Sequence, residues 1–197
     1  GCGEGYLSRI FAKSGASVVA VDFSKNMLDI ARKKTPKELN IKYHYGNCEK
    51  LEFLDDESFD IIVSNMVIQD LENYKAAIKE MYRLLKSGGN FVFSILHPCF
   101  VTPDSGWEKS EDGEKLYWKV DKYFYEGVYE QAYPQGQTDK VLFFHRTLTS
   151  YFNAITEAGF ILEGLVEPKP SSEMLEKYPS FEEDFRCSDF IVFKLRK

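Results

Sequence analysis

The chain opens on Gly1-Cys2-Gly3-Glu4-Gly5 and meets the acidic residue Asp22 21 residues after Gly1, a spacing that narrows the folds open to it. Between them, Leu7, Ile10 and Phe11 recur at helical spacing, Gly15 reads as a helix stop, and Ser17 to Val21 reads as a buried strand. Each part suits a nucleoside. Glycines let backbone pass close beneath a ligand, a helix start presents free N–H groups, and a carboxylate about 20 residues on accepts from both ribose hydroxyls. The spacing is Gly-x-Gly-x-Gly, whereas a dinucleotide pyrophosphate asks for Gly-x-Gly-x-x-Gly. Glu4 within the loop would repel a pyrophosphate and could face a cationic amine, which favours a nucleoside carrying an amino acid over NAD or FAD.

The βα alternation continues. Ser24 is placed to cap a helix burying Met27, Leu28 and Ala31 that stops near Thr35-Pro36, and a strand follows over about Ile41 to Tyr45. Phe59 to Ser64 is the next strand, then a helix with Tyr74, Ala77, Ile78, Met81 and Leu85 on one face, ended by Gly88-Gly89. Phe91 to Leu96 is a strand closed by His97-Pro98. Periodicity weakens from Phe100 to Arg146, where 11 of 47 residues are aromatic, so 100–146 reads as an insertion. Leu148, Tyr151, Phe152 and Ile155 then mark a helix closed by Gly159, with strands at about Phe160 to Val166 and Asp189 to Lys194. The whole of 1–197 is one α/β domain, a doubly wound, mostly parallel sheet.

A formal charge of −6 leaves no net positive field, which disfavours nucleic-acid and membrane partners. Four scattered cysteines without a Cys-x-x-Cys pair speak against a disulfide scaffold. His44 with Cys48, or His97 with Cys99, lack the further ligands of a tetrahedral set, so no metal is expected. No signal peptide is visible, and a cytoplasmic setting is expected.

These residues resemble the class I S-adenosylmethionine-dependent methyltransferases over nearly the whole chain. Gly1 to Gly5 is similar to that family's first motif, and Val19-Ala20-Val21-Asp22-Phe23-Ser24 with Met27-Leu28 to its second. Gly46-Asn47-Cys48-Glu49 stands where the family has Gly-Asp-Ala-Glu beside the adenine. Phe59 to Asn65, continuing to Arg83 through Gly89, is similar to the fourth strand and its helix. The resemblance narrows to small-molecule methyltransferase-like proteins with His97-Pro98, Tyr123-Phe124-Tyr125-Glu126-Gly127, His145-Arg146-Thr147-Leu148 and Val166-Glu167-Pro168 in that order. It implies S-adenosylmethionine as cofactor, S-adenosylhomocysteine as product, and strand order 3-2-1-4-5-7-6 with an antiparallel last strand. That order requires a strand before Gly1, so upstream residues are expected.

The resemblance implies cofactor contacts at Gly1, Cys2, Gly3, Gly5, Asp22, Phe23, Ser24, Met27, Asn47, Cys48, Glu49, Ser64, Asn65 and Met66. Asn47 replaces the usual Asp, and an amide can still pair with adenine. Gln69 stands where relatives often carry a His.

Methyl transfer is an in-line displacement needing alignment and exclusion of water rather than a triad. Ligands of open sheets bind beyond the carboxyl ends of the strands, so Asp22, Asn47, Ser64 to Met66 and His97 are expected to face one crevice. His97 is the candidate general base, the bland reading being that it caps its strand. Trp107, Tyr117, Trp118, Tyr123, Phe124, Tyr125, Tyr129 and Tyr133 are candidates for a substrate lid, or else a satellite core or dimer interface. Arg146 is a candidate for a substrate carboxylate and His145 for packing; the acceptor contacts expected are His97, Trp107, Tyr123, Tyr125 and Arg146. The rival classes are a nicotinamide-dependent oxidoreductase and a non-catalytic methyltransferase-like binding protein. The acceptor, a small molecule, and the oligomeric state stay open.

Overall fold

A computed structural model describes residues 1–132 and 140–197. The first half alternates helix and strand: α1 (Tyr6–Lys13), β1 (Val18–Asp22), α2 (Lys25–Lys34), β2 (Ile41–Tyr45) and β3 (Phe59–Asn65). A 3₁₀ turn (Ile68–Asp70), α3 (Tyr74–Leu84) and β4 (Leu85–Leu96) complete it. The insertion holds β5 (Gly106–Lys109), β6 (Lys115–Lys119), β7 (Gly127–Ala132) and β8 (Lys140–His145). The chain closes with α4 (Leu148–Glu157), β9 (Ile161–Val166), α5 (Ser172–Lys177), a second 3₁₀ stretch (Pro179–Phe185) and β10 (Phe190–Arg196). Tyr133 lies outside the described residues.

β1 and β2 pair in parallel, from Val18 opposite Ile41 to Asp22 opposite Tyr45. β3 and β4 also pair in parallel, and β10 runs antiparallel between β4 and β9. The strands thus form two parts, since β1 and β3 are not paired with each other among the described residues.

The core lies between the four-stranded sheet and α3 with α4. Phe91, Phe93, Phe193, Ile95, Ile191 and Leu195 are fully buried, with Ala77, Ile78 and Ile155 against them. Phe93 and Phe193 are cross-strand partners whose rings stack at 4.7 Å. Burying such a ring stabilises by about 1.5–3 kcal/mol, so this sheet carries the fold on which the strand ends are displayed.

Two sequence expectations shift. α3 ends at Leu84, and Leu85 through Gly89 belong to β4 rather than to the end of the helix. Leu85 turns extended (φ −75°, ψ 140°), fully buried and opposite Phe59, and Gly88 N–H donates to the Lys197 carbonyl. Pairing with neighbours outweighs the helical periodicity that includes Leu85. Among its described residues the insertion carries two antiparallel strand pairs, β5–β6 and β7–β8, whose facing rings, Trp107 with Trp118 and Tyr129 with Phe143, lie 5.4 and 5.7 Å apart.

Candidate functional site

The glycine loop is held by backbone hydrogen bonding to β1, the strand that comes after α1, and within itself. Cys2 N–H donates to the Val21 carbonyl and Gly5 N–H to that of Cys2 (2.9 and 3.0 Å). Gly3 and Gly5 take left-handed backbone, φ +53° and +79°, which costs other residues about 1 kcal/mol or more. At Gly5 a methyl group would overlap the Tyr43 hydroxyl, so helix α1 sits down on β2 as closely as it does because this residue lacks a side chain. At Gly3 an added methyl would meet only the Met27 side chain, at 3.6 Å.

Asp22 ends β1 with its carboxylate turned toward this loop. Its Oδ2 accepts from Gly3 N–H at 2.6 Å and its Oδ1 from Ser24 N–H at 2.8 Å. Ser24 in turn caps α2, its hydroxyl accepting from Met27 N–H (3.3 Å). One carboxylate thus fixes loop, strand end and next helix. Phe23 stacks on Tyr45 at 5.4 Å, both rings exposed, at the neighbouring ends of β1 and β2.

The other expected contacts follow along the same edge. Asn47, exposed, turns its Oδ1 onto Glu49 N–H (3.0 Å) and donates from its amide NH₂ to Glu49 Oε2 (3.5 Å). Glu49 Oε1 accepts from Asn73 N–H (3.1 Å), tying this loop to the start of α3. Cys48 is half-buried, and burial pushes its thiol up. Beyond Ser64 at the end of β3, Asn65 Oδ1 accepts from the Ser94 hydroxyl (2.8 Å). Met66, left-handed at φ +57°, donates its N–H to the Ser94 carbonyl (3.0 Å). Ser94 was not foreseen, although one hydroxyl within the apolar run Phe91 to Leu96 marks it. Val67 was missed as well: its side chain packs on Gly1, where a methyl group would overlap it.

The Glu4 carboxylate meets cations of the chain itself. It pairs with Lys34 (2.6 Å) and Arg9 (3.4 Å), and the Lys34 ammonium holds its carboxyl below the usual range.

His97 is buried, and both ring nitrogens are engaged. Nε2 meets Glu167 Oε1 at 2.8 Å and Nδ1 accepts from Cys99 N–H at 3.2 Å. The ring joins the end of β4 to the segment after β9. Gln69, also buried, accepts from Leu96 N–H (2.5 Å) through its side-chain oxygen.

The insertion turns most of its expected acceptor contacts inward. Tyr123 accepts from Leu148 N–H through its hydroxyl (3.2 Å) and from His145 Nε2 through its carbonyl (2.9 Å). Glu126 Oε1 accepts from Thr147 N–H (2.9 Å), the Thr147 hydroxyl (2.8 Å) and the Ser150 hydroxyl. Burial raises the Glu126 carboxyl, but these hydrogen bonds outweigh it and hold the group below its usual range. Trp107 is packed beneath Arg186 (4.7 Å) and Lys115 (5.2 Å), whose side chain also pairs with Glu183. Arg146 is buried with its guanidinium on three backbone carbonyls. Tyr125 alone of the expected set lines a cleft, of about 530 Å³, with Thr102, Ser105, Lys122 and Tyr129. A second cavity, about 20 Å³, lies between Gln69, Tyr129, Arg146 and Tyr151, with room for little more than a water.

Residues 1–93 match the family model described as a methyltransferase domain. The crystal structure of an S-adenosylmethionine dependent methyltransferase from Mesorhizobium loti is similar along the full chain and 88% of its own length, at 30% identity and TM-score 0.87. The chain belongs to the class I S-adenosylmethionine-dependent methyltransferases. This methyltransferase is also 26% identical over 193 residues to an uncharacterized protein of Haemophilus influenzae, covering 94% of the chain and 73% of the relative. It is 32% identical over 145 residues to a demethylmenaquinone methyltransferase of Staphylococcus epidermidis, covering 66% of the chain and 57% of that enzyme. The sheet of the methyltransferase is accordingly the Rossmann-like α/β layer of its family, and S-adenosylmethionine is the family's cofactor. No helix among the described residues is long and apolar enough to cross a membrane.

Proposed function

We propose that the protein transfers a methyl group from S-adenosylmethionine to a small-molecule acceptor. The observation that carries this is the Asp22 carboxylate, which clamps Gly3 and Ser24 at the tip of β1 beside an open glycine loop. The donor set fits the cofactor. Asp22 retains lone pairs for ribose hydroxyls, Gly1 to Gly5 admit close approach of backbone, and the Asn47 amide offers hydrogens to an adenine edge. Phe23, Met27, Cys48 and Glu49 border the nucleoside side, and Ser64, Asn65 and Met66 the side toward the acceptor.

When bound, the cofactor would supply a methyl on a positive sulfur, open to in-line displacement by the acceptor with the C–S electron pair left on sulfur. The chain's own share is alignment and exclusion of water. Met66, held left-handed by Ser94, sets the wall at the end of β3. His97 acts as a strut: with Nδ1 on Cys99 N–H and Nε2 on Glu167, its imidazole offers the acceptor no lone pair. The acceptor's proton leaves to solvent or to the acceptor's own basic group. The acceptor enters from the cleft beside Tyr125 and Tyr129, whose volume is that of a small-molecule site. The relation to a demethylmenaquinone methyltransferase and the net charge of −6 support a small organic acceptor over a nucleic acid.

Calorimetric titration with S-adenosylmethionine, S-adenosylhomocysteine and NADH tests the reading. One-to-one binding of the two sulfur nucleosides, lost in Asp22→Ala, is expected; binding of NADH alone overturns it.

A further inference from the structure

Arg146 is 7% exposed, and among the described residues no carboxylate lies within ion-pairing distance of it. Its Nη1 donates to the Gln69 carbonyl (3.1 Å) and its Nη2 to those of Leu71 and Glu72 (3.3 Å for Glu72). The Tyr74 and Phe144 rings lie 4.3 and 5.0 Å from the guanidinium carbon. These three carbonyls end the 3₁₀ turn and lead into α3, where helical bonding leaves them without other backbone partners. A planar fork with five donors can hold three diverging carbonyls at once, which a lysine ammonium of the same charge cannot match from one point.

The turn is not an arbitrary anchor. It begins immediately after Val67, whose side chain rests on Gly1 of the glycine loop. At its far end Arg146 is followed directly by Thr147, which Glu126 grips from across the insertion. A continuous chain of contacts therefore runs from the cofactor loop through Val67, the 68–72 turn and Arg146 to the insertion that borders the acceptor cleft.

We infer that Arg146 is a positioning residue that couples occupancy of the cofactor loop to the seating of the insertion, so that the acceptor chamber is assembled only when cofactor is present. This rests on the cofactor reading above. Coupling of this kind is reciprocal: whatever seats the insertion also tightens cofactor binding.

Hydrogen exchange of the full chain, with and without saturating S-adenosylhomocysteine, tests it. In the wild type, the nucleoside slows exchange not only around Gly1 to Gly5 but also in 68–72, 123–127 and 144–151. In Arg146→Lys, protection of the glycine loop remains while the nucleoside-induced protection of 123–127 and 144–151 is lost. Val67→Ala, which disturbs no buried charge, uncouples the insertion in the same way from the other end. A merely structural role for Arg146 would raise baseline exchange yet leave the nucleoside-induced difference in place, and that result overturns the inference. So does a wild type that binds with protection confined to the glycine loop. A well-folded wild type that does not bind the nucleoside at all sinks the cofactor reading first, and the coupling with it.

Discussion

The ends of β1 to β3 and the insertion are built on opposite plans. At the strand ends, backbone does the holding: Cys2 on Val21, Gly5 on Cys2, Met66 on Ser94, with Asp22 fastening two further amides. In the insertion, side chains do it: Glu126, Tyr123, His145, Arg146 and Trp107 are each consumed in contacts within the chain. Backbone-held loops leave their neighbouring side chains facing outward, as the exposed Phe23 and Met27 do. A segment bolted by its own side chains has fewer left for a ligand. The aromatic side chains of 100–146 are therefore largely scaffolding among the described residues, and few of them, such as Tyr125, line the cleft proposed for the acceptor.

The sharpest break in this contrast comes from Asp22→Ala. The substitution removes the carboxylate proposed to accept from both ribose hydroxyls, at about 1.5–3 kcal/mol for each charge-assisted bond, so affinity for S-adenosylhomocysteine should fall by on the order of 100-fold or more in calorimetry. The loop and α2 also lose its hold on Gly3 and Ser24. Gly5→Ala ranks next. Left-handed backbone and overlap with Tyr43 predict a loss of about 2 kcal/mol, read as a melting temperature lower by about 4–8 °C for a chain of this size.

His97→Gln sharpens the acceptor side. A strut predicts lower thermal stability with cofactor affinity unchanged, and, once an acceptor is found, no loss of a titrating group near neutrality from the pH–rate profile; disappearance of such a group would restore the ring as base. The smallest effect belongs to Glu126. Its folded carboxyl lies below the ordinary 4.5, so the stability it lends is present above that value and is lost as pH falls through the folded value. Acid should therefore loosen the start of α4 in the wild type, and amide exchange at 147–151 in Glu126→Gln should be faster at neutral pH and less sensitive to acid.

Legibility followed sequence distance. The glycine loop, Ser24 as a helix cap and Asp22 were readable because their partners lie within one βα unit. The Glu4 ion pair was not legible because Lys34, which binds it, comes from the next helix. The helix boundary at Leu85 was misplaced because Leu85 continues the apolar stripe of α3 and faces Phe59 as a strand residue equally well. Arg146 reaches carbonyls 74 to 77 positions away, and Glu126 reaches Thr147 across 21. Nothing in the local pattern distinguishes an arginine awaiting a substrate carboxylate from one destined for the chain's own backbone.

Spacing and periodicity alone gave the succession of strands and helices up to Leu96, and singled out the glycine loop and the carboxylate that answers it. These depend on φ, on side-chain period and on the short reach between a turn and the strand after it. Which polar and aromatic side chains remain free for a ligand was settled only by folding. A donor or ring binds whatever acceptor is brought within about 3 Å, and for His97, Tyr123, Trp107 and Arg146 the fold brings its own.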